Sequence, residues 1–379
     1  MIHELSGQDI HAYIVKKLNE SMDLGMQGYR MKNELGWDIL LKAGSEQRGL
    51  TSVSRELSES VHHNTLRGHL NKRFDNHEIW RQEAEQNQGL AASLPQSLWG
   101  ESVEIAVDFH DEPSYSRNAL VQTYTCRSKA QAGTTHFWRV ASAYVMHNGQ
   151  RFTVALVYVL PEYTTLAVVQ RLVQLVNQHR VVIKRLYLDK GFCQTAVIRY
   201  LQAQGWSALI ACPIRGKQGG TRALCRGRRS YNTTYTFGDG TAVQMTCVRT
   251  MPHGKNGKRR LKWLLFVCIG VTWPPKKVKQ RYRRRFGIET SYRLTRRWRI
   301  HSTSSNPALR FFLYGLTFWI VNLWTLFKWK FVRHPGTRKI DPTILPLPRF
   351  AALLRRAIET LRGFQDTIPV FLDPFVLKL

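Results

Sequence analysis

Acid is what this chain has least of. Asp and Glu together number 26 against 56 Lys and Arg, a formal net charge of +30. Between Asp189 and Glu289 the sole acid is Asp239. An imbalance this large says nothing about fold, but it calls for a polyanionic partner, nucleic acid first and an anionic membrane surface second. Cysteine pairing is also missing. Cys126, Cys193, Cys212, Cys225, Cys247 and Cys268 form no C-x-x-C and match no zinc module. Most sit beside apolar residues, so they read as small core residues of a reduced, intracellular protein. The opening MIHELSGQDIHAY has no basic region followed by an apolar one, so no signal peptide is expected. No repeat of solenoid period is present. Long apolar runs are absent but for Phe311 to Phe327, which is uncharged yet carries Thr317, Asn322 and Thr325. Its length is marginal for a bilayer, and a buried core helix is the expected reading.

What is present favours real cores. Hydrophobic residues make up 43% of the 379 positions, with 11 Trp, 14 Tyr and 17 Phe, which excludes wholesale disorder. Residues 1 to 95 read as polar and helical. Within them Thr51 to Phe74 divides into two helical pieces and resembles a helix-turn-helix. Asn64, Thr65, Arg67, His69, Asn71 and Lys72 are its candidate DNA contacts. From about residue 103 the pattern changes. VEIAVDFH is a short strand. FWRVASAYVMHNGQRFTVALVYVL gives two strands around HNGQ, and TTLAVVQRLVQLVNQH is a capped amphipathic helix. A strand ending in LYLDKGF, a helix stopped at Gly205 and the strand SALIACPI follow. The order implies an α/β fold, a mixed sheet with helices on its faces. Residues 215 to 275 are Gly-, Arg- and Lys-rich and read as a β-rich basic insertion. RFAALLRRAIETLRGF is an amphipathic helix, for subunit assembly or for packing on its own core.

Two strands end in acid, Asp108 in IAVDFH and Asp189 in LYLDKGF. Sites in open α/β sheets gather at such ends, and a carboxylate there is costly to bury unless it is paired or binds a metal. Either one alone reads as a turn residue. Asp111 reads as a turn or supporting acid, and His110 shares the strand face of Asp108. The third acid, Glu289, is alone in the arginine-rich YRRRFGIETSYRLTRRWR. On a continuous helix Tyr282, Arg285, Arg293 and Arg296 share its face. Such a stripe suits a metal-binding carboxylate flanked by groups that grip phosphates. Carboxylates that hold two hard cations fit in-line phosphoryl transfer.

Asp108, Asp189 and Glu289 resemble the acidic triad of DDE transposases with a ribonuclease-H-like core. Tyr282, Arg285, Glu289 and Arg296, as Y-x2-R-x3-E-x6-R, are similar to the Tyr-Arg-Glu-Lys signature of the insertion-sequence-four superfamily. Arginine stands where the family has lysine. LDKGF resembles the segment around the family's second acid, and VDFHD that of the first, as in its halobacterial-type branch. The resemblance spans about residues 100 to 330.

It implies a ribonuclease-H-like mixed sheet flanked by helices, a helical N-terminal domain and a β-rich insertion. The domains would be 1–95, helical and DNA-binding; 100–214 plus 276–332, catalytic; 215–275, insertion; and 333–379, a helical tail. Asp108, Asp189 and Glu289 would be catalytic and would bind two Mg²⁺, with Mn²⁺ as substitute. Tyr282, Arg285, Arg293, Arg296, Lys190, Arg228, Arg229, Arg259, Arg260 and Trp263 would contact DNA. Trp263, or Trp206, would take a flipped base, although LKWLLF also suits a core aromatic. The implied activity is cut-and-paste transposition. Transposon ends are cleaved and their 3′-hydroxyls joined to target DNA by a homodimer, in the cytoplasm of a prokaryote at the nucleoid, with no membrane. Three other readings stay open on the residues: a non-catalytic DNA-binding derivative, a ribonuclease-H-like nuclease, and a membrane-associated basic protein with Phe311 to Phe327 in lipid.

Overall fold

A computed structural model describes residues 4–75, 78–147, 150–251, 261–332, 341 and 343–366, with the backbone alone at 146–147, 286 and 288–290. The central residues of HNGQ, and Arg259 and Arg260, lie outside these. The chain divides into two units. The first comprises Met1–Glu78, Arg296–Ile320 and Lys328–Leu379, the second Ile79–Thr295 and Val321–Phe327.

The second unit is built on a nine-stranded sheet. Its strands are β1 (Ser102–Ser114), β2 (Cys126–Gln131), β3 (Thr134–His147), β4 (Gln150–Val159), β5 (Val182–Leu188), β6 (Ala208–Cys212), β7 (Tyr231–Thr236), β8 (Ala242–Thr250) and β9 (Lys262–Ile269). Their order is β2-β3-β1-β5-β6-β9-β8-β7, and β4 pairs with β3. Only β1–β5 and β5–β6 are parallel pairs. This is the expected mixed α/β sheet flanked by helices. The strands of the basic segment 215–275 do not stand apart from it. β9 pairs with β6, so they lengthen the central sheet.

Parallel neighbours need a crossover, and helices longer than the one-turn α6 (Ala119–Gln122) supply it. α7 (Thr165–Gln178) starts on a cap in which the Thr164 side chain accepts the Ala167 N–H, and it buries Val168, Val169, Leu172, Val173 and Val176. α8 (Thr195–Ala203) buries Val197, Ile198 and Leu201 and stops before Gly205, whose φ of +67° suits glycine. Both helices pack with Ile105, Val107, Leu186, Leu188 and Ile210 of the sheet in one core. Pleating sends the alternate residues of β1, among them Asp108 and His110, to the other face.

The outer edge of β4 has N–H groups with no strand beside them. Side chains fill that place. In α5 (Ile79–Ala92), Asn87 accepts from Leu156 N and donates to Leu156 O, at 2.9 and 2.8 Å, and Glu83 accepts from Tyr158 N at 3.1 Å. In α11 (Pro307–Phe331), Asn322 accepts from Thr153 N at 2.9 Å and donates to Thr153 O at 2.7 Å. α11 is long and apolar enough to cross a membrane, but 89% of its most apolar window is buried. Its asparagine is a partner for a strand edge, as a core helix requires.

The first unit is helical. It holds α1 (Gly7–Ser21), α2 (Asn33–Glu46), α3 (Leu50–Glu56), α4 (His63–Arg73), α12 (Leu347–Arg362) and the parts of α11 outside 321–327. α12 buries Leu347, Phe350, Leu354, Ala357 and Ile358 and packs on α1 and α2. Two charges of α2 are fully buried and paired with it. Lys42 meets Glu359 at 2.6 Å, and Asp38 meets Arg362 at 2.7 Å and His11 at 2.6 Å. Unpaired, either charge would carry a large desolvation cost.

Candidate active site

The site begins with register. β1 and β5 run parallel with Val107 opposite Leu188, so the next residues, Asp108 and Asp189, lie side by side. Asp189 follows the end of β5, but β1 pairs with β3 as far as Ser114, so Asp108 sits within its strand and not at its end as the sequence suggested. The Asp108 side chain is 17% exposed and that of Asp189 32%. Arg285 joins them. Its Nη1 donates to Asp108 Oδ2 at 2.9 Å, and its Nη2 lies 3.2 Å from Asp189 Oδ1. The other Asp108 oxygen, Oδ1, accepts the Phe109 N–H at 3.0 Å.

Arg285 comes from a chain segment pinned at both ends. α9 (Pro275–Tyr282) is followed by a 3-10 turn over Arg283–Phe286 and then α10 (Gly287–Arg296). The buried Tyr282 hydroxyl donates to Leu188 O at 2.9 Å, holding α9 on the end of β5. Tyr292 holds α10 on β1. Its hydroxyl donates to Asp108 O at 3.3 Å and takes the hydrogen of Ser142 Oγ at 2.7 Å. Its ring meets that of His110 at a tilt of 42°, centroids 4.8 Å apart, and Ser142 lies directly across from Asp108 on β3. Glu289 lies in α10 between these anchors, and its side chain is outside the described residues.

The electrostatics follow from burial. Removal from water is the largest influence on Asp108 and, with the nearby Asp189, pushes its pKa up to about 6 against the pull of Arg285. Burial opposes the charge of Arg285, but Tyr282, Asp108 and Asp189 outweigh it, so its pKa stands above the ordinary value. Burial, then the Asp108 charge, raises Tyr292 well above a free phenol. Two acids thus share one guanidinium at the place where a hard cation would balance them. Carboxylate oxygens are the donors Mg²⁺ takes, so this pair fits a divalent ion. Among the described residues no cluster of three or more His, Cys, Asp or Glu forms a metal cage.

The other candidates are distributed as follows. Asp111 forms a two-pronged pair with Arg139 across β1–β3, both bonds at 2.7 Å. Lys190 is exposed on the turn after Asp189. Arg228 and Arg229 are exposed before β7, and Arg293 and Arg296 are exposed on α10. Trp263 is 9% exposed, within the core of β9, its ring edge-on to Tyr231. Trp206 meets Tyr200 edge-on at 5.8 Å. The single stripe drawn from a continuous helix does not form. The 3-10 turn advances each residue about 120° rather than 100°, so Tyr282 and Arg285 turn inward while Arg293 and Arg296 face solvent. Sequence reasoning missed Tyr292 and Ser142. The one signal was that Tyr292 stands three residues after Glu289, where a helix brings side chains together.

The family model for the transposase DDE domain matches residues 111–323, which takes in Asp189 and Glu289 and starts three residues after Asp108. No curated protein matches the chain. Members of that family act on DNA and typically use a divalent metal. The matched span is more than half of the sequence, and the chain belongs to the DDE-domain transposases.

Proposed function

We propose that this transposase works by cut-and-paste, as a member of the insertion-sequence-four branch. Asp108, Asp189 and Glu289 are its catalytic acids and hold two Mg²⁺ ions, for which Mn²⁺ can substitute. The carrying observation is that Asp108 and Asp189 share Arg285, which comes from the same anchored segment as Glu289. When bound, the two ions stabilise the attacking and leaving oxygens of an in-line displacement at phosphorus. The chain's own residues prepare that step. Arg285 keeps two like charges together before DNA and metal arrive. Tyr282 fixes the end of β5 and Tyr292 the middle of β1, so the acids do not move when a phosphate approaches.

Arg293, Arg296, Lys190, Arg228 and Arg229 contact the DNA backbone, as exposed guanidinium and ammonium groups do. Arg296, in the place of the signature lysine, makes a forked rather than a point contact. The helical N-terminal region, 1–95, binds DNA through α3 and α4. The strands of 215–275 carry the basic surface, and 100–214 with 276–332 carry the chemistry. Joining two ends requires two active sites, so the working form is a homodimer on DNA, at the nucleoid of a prokaryotic cell.

The test uses a plasmid that carries the DNA flanking this gene, incubated with purified protein and Mg²⁺ or Mn²⁺ beside Glu289→Gln. Metal-dependent breaks at the element boundaries, with transfer of 3′ ends and neither event in the variant, are expected. Cutting without joining would favour a nuclease, and identical behaviour of the two proteins would remove Glu289 from the site.

A further inference from the structure

Glycine inside a helix normally has a packing reason, because it is the poorest helix former after proline. α2 shows two such cases. A methyl at Gly36 would lie 2.5 Å from Met26 Sδ, and one at Gly44 3.0 Å from the Trp298 ring. Gly68, in the middle of α4, has no such reason. A methyl there would meet nothing within 4 Å. The opposite side of α4 buries Leu66 and Leu70 completely. Around Gly68, one turn either way, stand the exposed Asn64, Thr65, Asn71 and Lys72, with Arg67 beside them. α4 contains no acid. Cations flank its start, while the acid Asp75 follows its end beside Arg67 and Asn71. After burial, the charges of His62, Arg55 and Arg67 hold the His63 pKa below its ordinary value.

We propose that α4 enters a groove of double-stranded DNA, and that Gly68 is the point of closest approach, left bare so the helix backbone can lie against the duplex. Asparagine side chains read base edges, and lysine and arginine grip the phosphates alongside. A side chain at the centre of that face would hold the helix off the groove floor and weaken all the flanking contacts together. The fold loses helix propensity at this position and gains nothing from it, whereas DNA binding gains depth. The inference rests on the transposase reading for the identity of the partner, and it adds which helix face and which position set the fit.

The test is Gly68→Ala, with Gly68→Leu beside it, in the full chain. The probe is a pool of duplexes of random sequence, enriched for those that the wild-type protein retains at about 0.2 M salt, where non-specific binding has faded. The alanine variant should melt at the same temperature or higher, because alanine is the better helix former and no neighbour obstructs it. It should nevertheless bind the enriched duplexes roughly tenfold or more weakly, and the leucine variant more weakly still. Wild-type affinity in both variants would overturn the proposal. A lower melting temperature for Gly68→Ala would overturn it too, by giving the glycine a role in the fold. A wild type that retains no duplex at all would count against the DNA partner itself, and so against the transposase reading as well as this one.

Discussion

Asp108 carries its charge at a cost to the fold. Its folded pKa of about 6 lies above the ordinary 3.8. Between those values the native state binds more protons than the unfolded chain, so stability falls as pH rises through that window. Below pH 4 the penalty is absent. At pH 7 it is on the order of 3 kcal/mol, at 1.36 kcal/mol per pKa unit. Asp108→Asn removes the ionisable group while keeping its shape. In the presence of EDTA the variant should melt higher than the wild type at pH 7, and the gap should close on titration toward pH 4. A gap that does not change with pH would mean that Arg285 already offsets the burial of this carboxylate. A cation held by the two acids, as proposed above, would offset that penalty.

Elements show how a side chain can settle what an apolar run is for. α11 passes for a membrane span by length and composition, yet Asn322 bonds both backbone groups of Thr153 on the edge of β4. Asn322→Leu leaves that N–H and C=O buried and unanswered, at a cost of about 2–4 kcal/mol, even though the helix becomes more apolar. The measurement is the denaturant midpoint at constant m-value. An unchanged midpoint would show that the edge of β4 finds its partners elsewhere.

Elements also mark what the sequence made legible. Asp108 and Asp189 stood out because each ends an apolar run, and parallel pairing of those runs set them together. The strands around HNGQ, the caps of α7 and α8 and the core role of α11 rest on local patterns of period two or 3.6, which survive folding. The arginine stripe did not survive, because a 3-10 turn depends on where Arg285 must go, and that is a tertiary demand. Tyr292 and Ser142 were invisible for the same reason. They are far apart in the chain and meet only when α10 lies on β1 and β3. The sheet gave a similar surprise. The basic segment reads as an insertion from its composition, but composition does not reveal that β9 pairs with β6.

At the scale of the whole molecule, a net charge of +30 must be separated into what binds and what cuts. Phosphate contacts release counterions, and each adds about 0.9 to the steepness with which log affinity falls against log salt. The exposed Arg228 and Arg229 lie in the loop before β7, the last strand of the sheet. β6 and β9 stand between β5, which ends at Asp189, and the β8–β7 pair that follows those arginines in the chain. Arg228→Ala with Arg229→Ala should make that fall shallower by about 1.8 if both contact phosphates. Filter binding from low to moderate salt measures it. The double variant should still cut DNA once its concentration is raised to restore binding, if the chemistry resides at Asp108, Asp189 and Glu289 as proposed above. An unchanged slope would move the DNA track away from these two arginines. Loss of cutting at saturating protein would mean that they act on the reacting strand itself and not only on its approach.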